Sequence, residues 1–455
     1  MLNNPKMKNF LAPPPHREQL PKEQIDGTYK RLRWQVFAGI YIGYVAYYLV
    51  RKNFTLAMPY LLTLGFDKAE LGFAFALNAT AYGFSKFIMG GISDRSDARK
   101  YMALGLVLAS LATILAGTAW GMSGIANMAL FQFLVGWFGG MGQPPGGRIM
   151  THWFSVRERG TKWSLWNTSH NIGGGLLGVL VGWGVPFALS LGLSAGLSQR
   201  LGIFWLPAAI AIILALIVCL LVRDTPQSCG LPNIENHRND YPNNYGKHSE
   251  TVLKPKDIFF KYVFTNRILW IVAIANAFVY FVRFGVLDWA PTYLTEIKHY
   301  NIKEMGLAYS LYEWAAIPGT ILCGWLSDTV FKRNRALTTT VYMALVMVAI
   351  FVYWTNTDNK LIDSIALVGI GFLIYGPVLL INVHAVDVSS KNAAGATIGF
   401  TGFFGYFFGT SILANIVMGQ VVQFYGWDAG FKILIASCLI TILLMALTFV
   451  QKRKI

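Results

Sequence analysis

Residues 101–147 read YMALGLVLASLATILAGTAWGMSGIANMALFQFLVGWFGGMGQPPGG, a stretch without a single Asp, Glu, Lys or Arg. As a helix rising 1.5 Å per residue it would extend about 70 Å, and the hydrocarbon core of a bilayer is about 30 Å thick. The stretch is therefore long enough to cross a membrane twice. The whole chain is similar in character, with 55% hydrophobic and 13% charged residues, whereas soluble domains carry roughly 25% charged residues. A soluble enzyme and a disordered chain are both excluded.

Apolar stretches of about 20 residues, each sufficient for one membrane-spanning helix, recur along the chain. They are too long and too uniformly apolar for the alternating strands of a membrane barrel. The candidates lie near 34–58, 69–92, 101–120, 124–147, 163–186, 201–222, 267–294, 306–327, 336–355, 364–386, 394–420 and 433–451. The sequence thus predicts an all-α membrane protein, with twelve transmembrane helices in two pseudo-symmetric six-helix halves.

A polar segment rich in Asn, Pro, His and charge separates the first six candidates from the last six. The predicted divisions are an N-terminal segment 1–33, a first half 34–222, a linker 223–266, a second half 267–451 and a tail 452–455. If the N-terminus is cytoplasmic, cytoplasmic segments hold 27 of the 38 Lys and Arg residues and external loops hold six. Because basic residues gather on the cytoplasmic side, both termini and the linker are predicted there. The same distribution explains the net charge of +16 without a nucleic-acid partner.

The two halves repeat each other at offsets of 232 to 234 residues. Tyr-Leu-Val-Arg at 48–51 matches Tyr-Phe-Val-Arg at 280–283, and a proline follows each arginine eight residues later. The further matches are GGISD at 90–94 with GWLSD at 324–328, and GQP at 142–144 with YGP at 375–377. Matches in one register indicate a duplicated six-helix unit, and parallel repeats of this kind place a substrate site at their interface near the bilayer midplane. The architecture is that of a carrier.

Ionisable side chains are costly at the centre of a membrane helix, by roughly 2.5–3.5 kcal/mol each on insertion scales, and are therefore candidates for function. The candidates at membrane depth are Arg51, Lys52, Lys86, Arg148, Arg283, Asp288 and Glu313. Five are positive and two are negative. Excess positive charge in a buried site predicts an anionic ligand, and the guanidinium fork matches a phosphate group bidentately.

The repeat assigns the first roles among these residues. We expect Arg51 and Arg283 to bind the ligand, because they are arginines at matching helical positions of the two halves. Lys52, Asp288 and Glu313 are expected to form a charge network that rearranges with conformation.

Other polar side chains are candidates for the same cavity. His170 precedes a glycine-rich turn, and we expect it to contact the ligand. Tyr48 and Tyr280 lie one helical turn before the two arginines and could donate hydroxyl groups. For Lys86 and Arg148 the sequence leaves a pocket role and an ion pair equally open.

A Gly-x-x-Ser-Asp-Arg stretch at 90–95 is similar to the loop motif of the major facilitator superfamily. Its expected role is structural and conformational. Asp94 is predicted to cap a helix end while arginines such as Arg95 brace the neighbouring helix. Asp328 is the matching residue of the second half.

Four segments together resemble a known family. They are YYLVRKNF at 47–54, YGFSKF at 82–87, RDTPQSCGLP at 223–232 and GFLIYGP at 371–377. From about residue 14 to the C-terminus, the chain resembles the organophosphate:phosphate antiporters of the major facilitator superfamily. The resemblance implies exchange of external glycerol 3-phosphate for internal inorganic phosphate across a bacterial inner membrane. No cofactor or metal is expected, and the fold leads us to expect a monomer surrounded by membrane lipid.

The resemblance also implies roles for individual residues. Arg51 and Arg283 would clamp the phosphate, with His170 beside them. The ion pairs near the site would come from Lys52, Asp288 and Glu313, and the further pocket residues would be Lys86, Tyr280 and Tyr375.

One segment departs from the family pattern. Close relatives that carry glycerol phosphate have tryptophan where Gln143 stands and cysteine where Gly146 stands. An amide in place of an indole removes a large wall of the pocket and adds hydrogen-bonding capacity. A hexose phosphate, a phosphoglycerate or a glycerophosphodiester is therefore an alternative substrate.

Other functions remain as rivals. A proton or sodium symporter of organic anions and a membrane sensor of phosphate esters would share the fold. Catalysis is not expected, because the sequence has no Walker-type loop, no His-Glu-x-x-His and no Gly-x-Ser-x-Gly segment.

Overall fold

The computed structural model describes residues 10–240, 263–357, 359–389 and 394–452. Of the predicted divisions, the first nine residues, the linker segment 241–262 and the last three residues lie outside these ranges. The described chain consists of helices joined by short turns, and it contains no strand. The predicted all-α class is confirmed.

The first half forms six helical rods. They are α1 (Lys22–Arg51, then Asn53–Thr63), α2 (Lys68–Ser93), α3 (Ala98–Ala116), α4 (Ile125–Gly139, then Gln143–Trp153), α5 (Val156–Asn167, then Ser169–Ser190) and α6 (Ala195–Arg200, Leu201–Trp205 and Leu206–Leu221). Helix α1 starts well before residue 34, where the apolar span was expected to begin. Its charged first turns therefore extend beyond the apolar stretch.

The second half forms six more rods. They are α7 (Arg267–Leu287, then Ala290–Glu296), α8 (Ile302–Asp328), α9 (Arg335–Thr355), α10 (Lys360–Asp387), α11 (Ala394–Phe403 and Phe404–Val417, continuing to 425) and α12 (427–452). Helices α11 and α12 meet at Gly426, with φ 80° and ψ 174°. Glycine adopts this left-handed φ without steric strain, so one residue makes the turn that the sequence placed at 421–432.

Within the described ranges, eight stretches are long and apolar enough to cross a membrane. One of them, Ala396–Thr448, is 53 residues long and contains both α11 and α12. Helices α1, α2 and α8 are not among the eight, and each carries an ionisable side chain at membrane depth: Arg51, Lys86 and Glu313, respectively. Each of these three helices, which have the weakest apolar signal, thus carries a candidate site residue.

The duplication extends to the helix starts. A capping box begins α2, where the Asp67 side chain accepts from the backbone N–H of Glu70 and the Glu70 side chain accepts in return. Asn301 and Glu304 make the same reciprocal pair at the start of α8. Each box satisfies backbone N–H groups that a helix N-terminus leaves free. The equivalent helices α2 and α8 therefore both begin with a capping box.

The halves meet closely through glycines on α2, α5 and α8. A Cβ atom at Gly72 of α2 would collide with the carbonyl oxygen of Asn415 on α11, and one at Gly178 of α5 would lie 2.5 Å from the Gly306 oxygen on α8. At the same end, Lys68 Nζ lies 2.9 Å from Glu296 Oε1 across the two halves. This end carries the loops predicted to be external, and it is closed.

Glycines of α2 and α11 nearer the opposite end are loosely surrounded. Among the described residues, a Cβ atom at Gly83, Gly90, Gly399 or Gly402 would have no neighbour within 4 Å. The close glycine contacts between the halves named above therefore lie at the end that carries Lys68.

The first residues of the linker, 223–232, bind the N-terminal segment and the start of α3, at the end of the first half opposite to Lys68. Backbone N–H groups of Arg17 and Leu20 donate to the carbonyl oxygens of Gln227 and Gly230, at 3.0 and 2.8 Å. Asp224 Oδ1 accepts from the backbone N–H of Ala98 at 2.8 Å, at the start of α3. The linker motif thus ties the N-terminal segment to the helical bundle.

Candidate functional site

The two repeat-related arginines lie inside the bundle, on α1 and α7. Arg51 is 8% exposed and Arg283 is 6% exposed. Arg51 ends the first segment of α1, where its Cζ lies 3.4 Å from the centroid of the Tyr82 ring. The Cζ of Arg283 lies 4.1 Å from the centroid of the Tyr375 ring. Both guanidinium groups are thus placed against aromatic faces, an arrangement that attracts cations.

Neither arginine is neutralised by a neighbouring acid. Within the described residues, no carboxylate oxygen lies within 4.0 Å of either guanidinium group. Arg51 Nη1 donates to the Tyr48 hydroxyl at 3.3 Å, while the buried Nε of Arg283 has no hydrogen-bond partner in the part of the chain that the structure describes. Buried charge without a partner is unfavourable, so the pair is chemically suited to an anion.

Aromatic rings connect the two arginines. The ring centroid of His170 lies 5.4 Å from that of Tyr48 and 6.1 Å from that of Tyr375. On another side, Tyr406 of α11 lies 5.2 Å from Tyr280 and 5.6 Å from Tyr82, again between ring centroids. The predicted residues His170, Tyr48, Tyr280 and Tyr375 therefore surround one region between the halves.

The ring orientation of His170 is set by its own helix. Its Nδ1 donates to the carbonyl oxygen of Asn167, because a carbonyl oxygen can only accept. In the neutral ring, Nε2 is then the free acceptor, and in the protonated ring it becomes a donor. His170 can therefore hydrogen-bond either a hydroxyl group or a phosphate oxygen.

The predicted charge network divides into two parts. Lys52 Nζ lies 2.5 Å from Asp288 Oδ1, an ion pair buried between α1 and α7. Glu313 Oε2 instead accepts two hydrogen bonds of 2.9 Å, from Asn171 Nδ2 and from the Tyr375 hydroxyl. Within the described residues no cation lies within 4.0 Å of Glu313. Lys52 and Asp288 pair as expected, and Glu313 joins the halves through neutral partners.

Lys86 and Arg148, for which the sequence allowed either a pocket role or an ion pair, lie in different parts of the structure. Lys86 of α2 is half-buried, and its Nζ lies 6.0 Å from the ring centroid of Tyr406. Arg148 lies away from that region, where it donates to the carbonyl oxygens of Ser93 and Ser96 and pairs with Asp224 at 3.1 Å. Lys86 therefore borders the region between the arginines, and Arg148 belongs to an ion pair.

Both departures from the family pattern lie in the first turn of the second α4 segment. Gln143 is half-buried at the first position of the second α4 segment. A Cβ atom at Gly146 would lie 2.7 Å from the indole of Trp166. The indole thus occupies the space that a larger residue at 146 would need.

The loop after α2 differs from the expected arrangement in one respect. Asp94 and Arg95 are exposed, whereas Asp97 is buried and accepts from the backbone N–H groups of Arg99 and Lys100. The side chain that caps α3 is therefore that of Asp97. In the second half, Asp328 Oδ1 pairs with Arg335 Nη1 at 2.6 Å.

Two residues near the site were not among the predicted ones. Tyr82 faces Arg51 and lies one helical turn before Lys86, a spacing that puts both on one face of α2. Asn171 follows His170 directly and donates to Glu313. Helical spacing could have revealed Tyr82, while nothing in the sequence indicates the partner of Asn171.

Comparison with known proteins identifies the family. The profile of the Major Facilitator Superfamily matches residues 40–412. The chain belongs to this superfamily. A glycerol-3-phosphate transporter of Bacillus subtilis (strain 168) is 53% identical over 445 residues, which are 97% of this chain and 98% of the relative. A glycerol-3-phosphate transporter of Haemophilus influenzae is 48% identical, over 98% of this chain and 97% of the relative. The resemblance carried by the four sequence segments is therefore confirmed.

The fold is shared with more distant major facilitator proteins. A crystal structure of a bacterial homologue of the human lysosomal transporter Spinster, inward-facing and unoccupied, superimposes with a TM-score of 0.72 at 16% identity. The match covers 92% of this chain and 95% of that chain. The predicted fold class is confirmed. The closely similar relatives are transporters, so this superfamily member is not an enzyme.

Proposed function

We propose that the protein is a secondary transporter that exchanges external glycerol 3-phosphate for internal inorganic phosphate across a bacterial inner membrane. The observation that carries the proposal is the pair of buried arginines, Arg51 and Arg283, at equivalent positions of the two halves. In the described structure, neither has a carboxylate within 4.0 Å. The names of the two relatives point to the same substrate.

The charge around the two arginines suits a phosphate dianion. The ionisable residues at this depth are Arg51, Lys52, Lys86, Arg283, Asp288 and Glu313. Four cations and two carboxylates leave two positive charges in excess. A doubly ionised phosphate group would balance that excess, and each guanidinium fork can donate two parallel hydrogen bonds to its oxygens.

Alternating access follows from the origin of the ligand-binding groups. Arg51 belongs to the first half and Arg283 to the second, so one bound phosphate would draw on both. His170, between Tyr48 and Tyr375, would add a hydrogen bond from the same region. A ligand shifts the equilibrium between two conformations only through its different affinity for them. We propose that the halves rock about the site, and that the phosphate is bound most strongly during the crossing.

Obligatory exchange follows from the same charges. Without an anion, closing the two halves would bring two unneutralised arginines together in a medium of low dielectric constant. The empty carrier should therefore cross slowly, while carriers loaded with either anion should cross quickly. We propose that the carrier works as a monomer with both termini in the cytoplasm.

The organic half of the substrate is proposed from the relatives alone. Glycerol 3-phosphate is the substrate in the names of both relatives. Gln143, where an indole was expected, keeps hexose phosphates, phosphoglycerate and glycerophosphodiesters as alternative substrates of the same phosphate site.

Uptake of labelled glycerol 3-phosphate into proteoliposomes loaded with inorganic phosphate tests the proposal. Uptake should require internal phosphate and should be lost in Arg283→Gln. The matched control is Arg157→Gln, which removes one positive charge from an exposed side chain in the first turn of α5. Transport that survives in Arg283→Gln, or fails equally in Arg157→Gln, would contradict the proposed clamp.

The same preparation distinguishes the rival functions. Uptake into phosphate-free vesicles that follows an imposed pH or sodium gradient would establish a symporter. Binding of the ester with negligible flux would establish a sensor. Exchange of phosphate for phosphate, without uptake of glycerol 3-phosphate, would preserve the arginine clamp and redirect attention to Gln143.

A further inference from the structure

A polar cavity lies outside the region between the halves, at the charged start of α1. Its volume is about 550 Å³. Three parts of the chain enclose it: the first turns of α1, the α4–α5 turn with the start of α5, and the short linker helix Ile234–Arg238. The linker motif ties these elements together, so the cavity is part of the folded first half.

The cavity is positively charged. Lys30, Lys162 and Arg238 line it, and within the described residues none of them has a carboxylate within 4.0 Å. Arg33 also lines it and is paired with Glu158. These two charges cancel, so three uncompensated cations remain.

One acid and one histidine adjust this balance. Asp26 lines the cavity and lies 3.8 Å from His237 Nδ1. The His237 ring stacks on Tyr29, with 4.0 Å between ring centroids. Burial lowers the pKa of His237, so its ring is neutral at pH 7 and adds no positive charge to the cavity, while Asp26 is the acid to count against the three cations. The cavity therefore has an excess of two positive charges.

The Arg33 side chain is held firmly at the wall of the cavity. It is 8% exposed and is paired with Glu158. Its guanidinium group lies against the Phe154 ring, with Cζ 5.0 Å from the ring centroid. A basic side chain fixed in this way needs little ordering when it binds an anion.

The cavity lies where α1 enters the apolar zone. Trp34 is the first residue of the predicted span, lines the cavity and is 54% exposed. Lys162 Nζ lies 4.0 Å from the centroid of the Trp34 indole. Exposed tryptophan beside lysine is typical of a membrane–water interface, where a long basic side chain reaches toward lipid headgroups. An apolar edge thus adjoins a basic, partly enclosed site.

From this juxtaposition we propose that the cavity binds the headgroup of an anionic phospholipid. The phosphate lies among Lys30, Arg33 and Arg238, and the acyl chains extend along Trp34. The cytoplasmic leaflet is its source, which rests on the orientation proposed above but not on the transported substrate. An anionic lipid fits better than a free anion because the apolar wall at Trp34 would remain uncovered beside a small ion.

Native mass spectrometry of the full chain in detergent, titrated with phosphatidylglycerol or phosphatidylcholine, tests this site. Phosphatidylglycerol should bind preferentially, and Lys30→Gln with Arg238→Gln should weaken it about thirtyfold, since each basic residue near a lipid surface contributes roughly fivefold. The matched control is Lys332→Gln with Arg333→Gln, two exposed basic residues of the α8–α9 turn. Equal loss in both double variants would overturn the assignment.

Two further arms identify the ligand. Inorganic phosphate at millimolar concentration should leave phosphatidylglycerol bound, and displacement would assign the cavity to a free anion instead. Trp34→Ala should weaken binding of the lipid without creating affinity for phosphate, and unchanged binding would contradict the proposed path of the acyl chains. Arg283→Gln protein should bind the lipid like wild type. Lipid binding and transport can therefore fail separately.

Discussion

Lys52 and Asp288 occupy the breaks in their two helices and are paired across them. Lys52 separates the two segments of α1, and Asp288 follows the first segment of α7. Their side chains meet at 2.5 Å, and the Asp288 side chain is fully buried. Arg51 directly precedes one of these breaks. An ion pair between the halves is therefore built into the backbone interruptions beside the proposed ligand site.

Neutralising one member of this pair should be far more damaging than exchanging the two. Asp288→Asn leaves Lys52 buried and unpaired, and breaking a buried pair this way destabilises a protein by about 3–5 kcal/mol. We expect a lower melting temperature and loss of exchange. The reversed pair, Lys52→Asp with Asp288→Lys, should recover part of the melting temperature and part of the exchange activity. Thermal unfolding and phosphate exchange measure the two. A reversed pair no better than Asp288→Asn would contradict a direct interaction.

The glycine contact between α5 and α8 should control closure of the end that carries Lys68. Gly178→Ala puts a Cβ atom 2.5 Å from the Gly306 oxygen, and overpacking of this kind costs about 1–3 kcal/mol. That amount is enough to separate the helices without unfolding them. We expect phosphate exchange to fall strongly while the melting temperature changes little.

Gly324→Ala is the control for that substitution. Gly324 lies on α8 as well, but a Cβ atom there would have no described atom within 4 Å. Exchange should stay near the wild-type rate. If both variants lose exchange equally, flexibility of α8 rather than contact with α5 is responsible.

The sequence predicted what depends on local pattern and on the repeat. Hydropathy gave the twelve helices, and the match of Arg51 with Arg283 identified two buried side chains that the fold does place in equivalent positions. The partners of Glu313 could not be predicted, because Asn171 is 142 residues away and the link is a hydrogen bond between uncharged and charged groups. Counting charged residues can predict ion pairs, but it cannot predict hydrogen bonds from uncharged groups such as the Asn171 amide.

The sequence also could not predict the exact residue at which a helix begins. Asp94 and Asp97 are three residues apart, and composition does not reveal which one starts α3. The backbone between them decides, since Asp97 has the extended conformation of an N-cap residue while Asp94 ends α2. Arg148 was similarly ambiguous until its partner Asp224, 76 residues away, was placed beside it.

Gln143 should set which organic group the site accepts. Gln143→Trp restores the indole found in relatives that carry glycerol phosphate, and should exclude bulky esters. One misfitting group typically changes selectivity by about 10- to 200-fold. Competition by glucose 6-phosphate against labelled phosphate should weaken by that order, and competition by glycerol 3-phosphate should be kept. Gln143→Ala is the control, and it should not narrow the substrate range.

Asp224, rather than Asp94, should stabilise the first half at the start of α3. Asp224 is 3% exposed, accepts a hydrogen bond from the backbone N–H of Ala98 at the start of α3 and pairs with Arg148. Asp224→Ala removes both interactions and leaves Arg148 without its acid, so the free energy of unfolding should fall by about 3 kcal/mol or more. Asp94→Ala changes an exposed side chain and should stay within about 0.5 kcal/mol of wild type. Thermal unfolding in detergent compares the two. A larger effect at Asp94 would mean that the loop motif stabilises the protein through its first aspartate, and that the linker contacts of Asp224 contribute little to the free energy of unfolding.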